Sequence, residues 1–319
     1  MKRREFITLL ASAASAWPMA AARGQPKLPK IGVLVPANPE PFWSEFRAGL
    51  HEHGYSEGQN VVFEFRSADG NPNRLRDLAD ELVRLKVDVI VAHFTPSATA
   101  ARQATTEIPI VMAPAGDPIG TGLISSLARP GGNITGLSGT SAELYAKTLE
   151  LIREVLTGTR RIAVLANAAD PFSIPFTQQV EDGGRALGIT IQTIKVRGVE
   201  EFAAAFAAME QARADAVLVQ GSLSARPALD LALKHRLPPI GADRLFSQEG
   251  GLLSYAYNLN ELYRRAGYYI DRILRGAKPG ELPVEQPTRY QLVVNLKTAK
   301  ALSITVPDTV LARADDVIE

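Results

Sequence analysis

Val87-Asp88-Val89-Ile90-Val91-Ala92 is a β-branched apolar run, and His93-Phe94-Thr95-Pro96-Ser97 follows it directly. A short helical stretch over 97–105 then leads to a second apolar run, Ile108-Pro109-Ile110-Val111-Met112. Two near-continuous apolar strands joined by a helical crossover form a βαβ unit. That unit belongs to a parallel sheet covered on both faces.

The alternation extends in both directions. Upstream lie a strand at 31–35, a helix over 41–53, a strand at 60–65 and a helix over 72–86. A Gly/Pro-rich passage from Ala113 to Thr140 carries no clear period, and the rhythm then restarts. Helices over 142–156, 175–187, 199–213 and 226–235 alternate with strands at 161–166, 190–196, 216–219 and 239–241. The end of the chain adds a strand at 251–257, a helix over 259–274, a strand at 290–295, a stretch over 297–302 and a short helix at 308–313. These exceed what the second block needs, so the chain is expected to cross back between two units. The fold class is therefore α/β, with two doubly wound parallel-sheet lobes joined by a multi-strand hinge.

The first 24 residues read as an export signal. Lys2, Arg3 and Arg4 form a positive segment, Ile7–Trp17 is apolar but far shorter than a membrane span, and Ala20–Gly24 offers small-residue cleavage sites. The pair Arg3-Arg4 before Glu5-Phe6-Ile7 resembles a twin-arginine signal, which places the protein in the periplasm. Removing residues 1–24 leaves a chain of about 295 residues with a net charge of about −2, too little positive charge for nucleic acid or anionic lipid. With no cysteine, disulfides, thiolate nucleophiles and cysteine metal sites are all excluded.

No catalytic constellation emerges. Gly120-Thr121-Gly122 lacks the third glycine of a dinucleotide fingerprint, and neither a phosphate-binding loop nor a Gly-x-Ser-x-Gly elbow is present. His51, His53, His93 and His235 do not have zinc-site spacing, and no cofactor or metal is expected. His93 sits just past a strand, either facing a ligand or as a plain loop residue. Asp117, Asp170 and Asp243 each follow an apolar strand, where a carboxylate can meet a ligand or cap the next helix.

Small, hydroxyl and amide residues follow the other strands: Asn38, Thr95, Pro96 and Ser97, Asn167 and Ser222. With backbone N–H groups at helix N-termini they suit a small polar ligand group. Phe42, Trp43, Phe94, Phe172, Tyr255 and Tyr257 lie near the same edges and could wall a flat apolar body or pack the core.

Four stretches carry a family resemblance: Thr95-Pro96-Ser97-Ala98, Gly116–Leu123, Arg129-Pro130-Gly131-Gly132-Asn133-Ile134-Thr135-Gly136, and Asn295–Leu302. Over nearly its whole length after the leader, the chain resembles the tryptophan/tyrosine-binding-like ABC-transporter substrate-binding proteins with a type I periplasmic binding fold. The resemblance implies a first lobe of residues 29–138 plus 259–289 and a second of 139–258 plus 290–319. It also implies a three-strand hinge, a small aromatic ligand held between the lobes, and a monomer that delivers to an inner-membrane permease. By the same resemblance Thr95, Ser97 and Asp117 face the cleft from the first lobe, answered by Asn167, Ser222 and Asp243 from the second. Thr95 and Ser97 would hold a carboxylate, and Asp117 or Asp243 an ammonium. The proline-rich loop Pro36–Pro41 argues against transferring ligand identity with the fold. The competing readings are an exported hydrolase using Asp117 or Asp243 with His93, and a sensory ligand-binding partner of a membrane kinase.

Overall fold

The computed structural model describes residues 28–139, 143–223, 225–241 and 243–319; the leader reading falls outside them. Two sheets carry the strands. The first contains β1 (Lys30–Val35), β2 (Val62–Ser67), β3 (Val89–Ala92), β4 (Ile110–Ala115) and β5 (Ile134–Ser138) in the order β2-β1-β3-β4-β5. Every pairing in it is parallel. The second contains β6 (Arg161–Asn167), β7 (Thr190–Val196), β8 (Ala216–Val219), β9 (Pro239–Gly241), β10 (Leu253–Tyr257), β11 (Tyr290–Asn295) and β12 (Asp316–Ile318). Its order is β12-β11-β10-β9-β8-β6-β7, parallel except for the antiparallel β10–β11 pair.

Helices cover both faces of each sheet, as near-continuous apolar strands require. On the first sheet, α2 (Leu75–Arg84) and α3 (Phe94–Ala104) share one core with Leu34, Ile90 and Met112. On its other face α1 (Phe42–Glu52) and α9 (Leu259–Leu274) bury Ile31, Val33, Val91 and Val111. On the second sheet, α4 (Glu143–Val155) and α5 (Ser173–Leu187) pack one face, while α6 (Phe202–Gln211) and α7 (Ala225–Lys234) pack the other. Three short helices, α8 (Arg244–Gln248), α10 (Leu296–Ala301) and α11 (Asp308–Leu311), complete the second sheet's surroundings.

The chain passes between the sheets three times: after β5 at Gly139, after β10 at Asn258, and between Val284 and β11. The second passage brings α9 back onto the first sheet, where it lies against α1. Gly49 and Gly267 make that crossing possible. A Cβ on Gly49 would lie 2.2 Å from the Arg264 carbonyl oxygen, and one on Gly267 would lie 2.7 Å from the Gly49 carbonyl carbon. Arg264 reinforces the crossing by donating to Glu45.

Several sequence expectations need correction. The passage 113–140 contains β5, hidden because Gly136 sits at φ +121°, with its missing Cβ 2.5 Å from the Met112 carbonyl oxygen. The helix expected from Ser97 starts at Phe94, so Ser97 lies inside α3 and is not its cap. The second strand is shifted two residues downstream, and α8 and β12 are too short to show a period.

Overpacking a backbone-to-backbone contact typically destabilises by about 1–3 kcal/mol, and more where neither partner can yield. Gly267→Val should therefore lower the unfolding free energy by about 3 kcal/mol, read from chemical denaturation. An unchanged midpoint would show that the two helices do not need this approach.

Candidate functional site

The C-terminal ends of the parallel strands of both sheets converge on one cleft, where ligands bind in open α/β sheets. It holds two adjoining cavities. The outer, about 550 Å³, is walled from the first sheet's side by Asn38, Glu40, His93, Phe94 and Tyr263, and from the second's by Ser222, Arg226, Asp243 and Phe246. The inner, about 50 Å³, lies among Phe94, Thr95 and Gly116 on one side and Tyr145, Asp170, Phe172, Gln220 and Ser222 on the other. Phe94, Ser222 and Tyr257 border both.

Of the residues singled out in the sequence, Asn38, Phe94, Thr95, Phe172, Ser222 and Asp243 line these cavities. Asn38 holds its own loop by accepting from the Glu40 N–H at 3.1 Å. Thr95 Oγ1 accepts from the Gly116 N–H at 2.9 Å, so this hydroxyl ties α3 to the end of β4. Phe94 is at φ +64°, a conformation that a bulky side chain occupies only under strain. Phe172 reaches across from the second sheet, its ring filling the space where a Gly116 side chain would stand. Asp243 caps α8, accepting from the Phe246 N–H at 2.9 Å, and lines the outer cavity.

His93, Asp170 and Tyr257, also singled out, line the cavities too, whereas Phe42, Trp43, Pro96, Ser97, Asp117, Asn167 and Tyr255 do not. Phe42 is fully buried and stacks on the His93 ring at 4.5 Å. Pro96 and Ser97 are buried within α3, and Ser97 Oγ has no hydrogen-bond partner. Asp117 closes its own turn by accepting from the Gly120 N–H at 2.8 Å. Asn167 stands behind the wall, with its amide 3.3 Å from Ser222 Oγ. Tyr255 stacks against Tyr290 at 5.7 Å on the second sheet. Phe42, Pro96 and Ser97 are packed on helices of the first sheet, Asp117 and Asn167 cap their own turns, and Tyr255 packs on its own sheet.

Sequence reasoning singled out neither Glu40, Tyr145, Gln220, Arg226 nor Tyr263. Tyr145 and Tyr263 sit on amphipathic helices, where an aromatic residue reads as core. Gln220 carried a usable signal, a polar residue directly after the apolar strand 216–219. Its Oε1 accepts from the Asn167 N–H at 2.9 Å and its Nε2 donates to Asp170 at 2.9 Å, so it clamps two strand ends.

His93 is 5% exposed and pressed between the Phe42 and Phe94 rings. Its Nε2 lies 3.1 Å from the Tyr263 hydroxyl, and its Nδ1 has no partner. Burial drives its pKa down to about 3, so the imidazole is neutral. Burial also raises Asp170 and Asp243, opposed by the hydrogen bonds each accepts. Among the described residues no group of side chains could hold a metal ion, and no helix is long and apolar enough to cross a membrane.

Residues 41–318 match the model of the family described as ABC transporter substrate binding protein. A tyrosine-binding protein of Clostridioides difficile is 28% identical over 264 residues, 81% of this chain and 75% of its own length. The ABC domain from Streptococcus pneumonia solved in complex with L-Trp is 28% identical, with a TM-score of 0.85 over 91% of this chain and all of that one. A conserved domain protein from Vibrio cholerae gives 0.86 at the same identity and coverage. The chain belongs to the ABC transporter substrate binding protein family.

The neutral His93 makes stability depend on pH. Its folded pKa lies below the unfolded value, so the unfolded chain takes up the proton first. Stability is then lost as pH falls below about 6.5, by about 2 kcal/mol at pH 5 from this group alone. The raised carboxylates act in the opposite sense, because their penalty is present above their folded pKa and is relieved by acid. His93→Gln should therefore remove about 2 kcal/mol of the loss seen between pH 7 and pH 5, read from denaturation at both. An equal loss in both proteins would place the titration elsewhere.

Proposed function

We propose that this substrate-binding protein works in the periplasm, capturing a small aromatic ligand, an amino acid or an aromatic acid, between two closing lobes. The observation that carries the reading is the 550 Å³ cavity, walled by strand ends from both sheets with three chain passages beside it. Such a cavity suits a drug-sized solute with apolar walls and few polar groups. The moving units are 29–138 with 259–289 and 139–258 with 290–319. Closure is favoured because the ligand touches both lobes only when they meet. An inner-membrane permease then reads the closed shape, with the receptor acting as a monomer and returning its ligand chemically unchanged.

Residues 1–24 supply the export signal for this location, and the twin-arginine route suits a cysteine-free chain that folds before it is carried across. Contacts come from Asn38, Phe94, Thr95, Phe172, Ser222 and Asp243, with backbone N–H groups near the start of α3 facing a carboxylate.

Ligand present at a hundredfold over its Kd adds about 2.7 kcal/mol to folding stability. L-tryptophan or L-tyrosine should raise Tm, and Phe94→Ala/Phe172→Ala should lose that rise while staying folded. A full rise in the double variant would move the site elsewhere, and conversion of the added ligand into product would favour an enzyme. For export, Arg3→Lys/Arg4→Lys should leave folded precursor in the cytoplasm. Unchanged export would point to the general secretory route.

A further inference from the structure

Large apolar side chains stand exposed at Ile119, Ile174, Val199 and Leu245. Leu245 lines the outer cavity. Ile119 and Ile174, 47% and 68% exposed, stand just outside the inner one. Ile119 lies three residues past Gly116, and Ile174 two past Phe172. Gly116 and Phe172 both line the inner cavity, and the Phe172 ring packs over Gly116 between the two halves of the molecule. The two isoleucines therefore come from opposite halves and flank a point where the halves touch. Five residues of chain reach at most about 18 Å, so with the ring contact the two lie within about 25 Å of each other. A standard protein interface, about 800 Å² per partner and so roughly 30 Å across, covers both.

Single exposed apolar side chains are ordinary, but these two are held in place by fixed turns. Around Ile119 the Thr121 N–H and hydroxyl donate to the Asp117 carbonyl at 2.9 and 2.8 Å, and the Ile124 N–H donates to the Pro118 carbonyl at 3.1 Å. Arg102 ties the same turn to α3 by donating to the Gly122 carbonyl. Ile174 is the second residue of α5, where the Ser173 N–H donates to the Asp170 carbonyl at 2.8 Å and the Thr177 hydroxyl to the Ile174 carbonyl at 3.2 Å. A side chain on a rigid turn loses little freedom when a partner covers it. Two isoleucines are too little apolar surface for a permanent dimer, which buries about 2,000 Å² or more, and suit a partner that docks and releases. Because they sit on opposite halves, their spacing changes with the angle between the halves, and a partner that seats both favours one angle.

We propose that Ile119 and Ile174 form a two-part apolar docking surface for the membrane permease of the importer, one side chain from each lobe. The inference rests on the closing-receptor reading and deepens it, by naming the side chains through which the closed shape is read. The permease presents two apolar depressions at the matching spacing.

The test places the photo-crosslinking residue p-benzoylphenylalanine at position 119 or 174 of the full chain in its native host, with the exposed positions Gln59 and Gln211 as controls. These controls precede β2 and β8, at the strand ends away from the cleft. Positions 119 and 174 should each crosslink, on irradiation, to a membrane-spanning subunit of an ABC importer identified by mass spectrometry, and the controls should not. Crosslinks only to a second copy of this chain or to another non-membrane protein, equal yield at the controls, or no product at either position would overturn the proposal. In parallel, Ile119→Glu/Ile174→Glu should keep its Tm and any rise with L-tryptophan or L-tyrosine. It should lower cellular uptake of the amino acid that gives the rise at least about tenfold, as a charge placed against an apolar seat does. Undiminished uptake would also overturn the proposal. If neither amino acid raises Tm, the aromatic-ligand reading falls, and the crosslinks alone decide the docking surface.

Discussion

The architecture depends on how closely one helix can approach another. Helix α9 leaves the second sheet at Asn258 and must return to the first, and its anchor there is the crossing with α1 at Gly49 and Gly267. Without side chains at those two positions the backbones meet almost directly, and Tyr263, Tyr269 and Ile270 on α9 then join the core under Phe42 and Phe46. Because α9 is fixed to the first sheet, the chain must cross a third time to reach β11. The number of passages beside the cleft thus follows from a contact on the far face of the sheet.

The cleft is costly to build, and its costs are local. Phe94 is strained, His93 is neutral with an unpartnered nitrogen, and Asp170 is a buried acid with no counter-ion among the described residues. Natural folds accept such features where the surrounding structure over-determines them. Here Phe42 and Tyr263 hold His93, and Gln220 and the Phe172 N–H hold Asp170. None of these contacts completes a nucleophile and base, and His93 and Asp170 both line a space that a solute could fill.

Most of the fold was legible because apolar strands and amphipathic helices declare their periods. The strands 190–196 and 290–295 and the helix 259–274 were readable to the residue. Where the period failed, a specific residue was responsible. Gly136 disguised β5, and Thr95-Pro96-Ser97 suggested a cap at Ser97, three residues past the start of a helix that begins at Phe94. The site was less legible for a different reason. Sequence position places a residue at a strand end but does not say which way its side chain turns. Asp117 closes its own turn while Asp243 reaches the cavity, although both follow a strand by a few residues. Tyr145 and Tyr263 arrive from helices whose sequence speaks only of burial.

One residue links the cleft to the passages that flank it. Tyr257 borders both cavities, ends β10, and immediately precedes the passage at Asn258. Its hydroxyl also occupies the space beside Gly139, at the first passage, where an added Cβ would lie 2.3 Å from the oxygen. Two of the three passages therefore touch the same side chain that a bound solute would touch. On the reading of a closing receptor, occupancy of the cleft and the angle between the sheets are coupled through that ring directly, with no relay through either core. The close backbone contact at Gly49 and Gly267 keeps α9 from absorbing the motion, so displacement at Tyr257 is passed to the passages themselves.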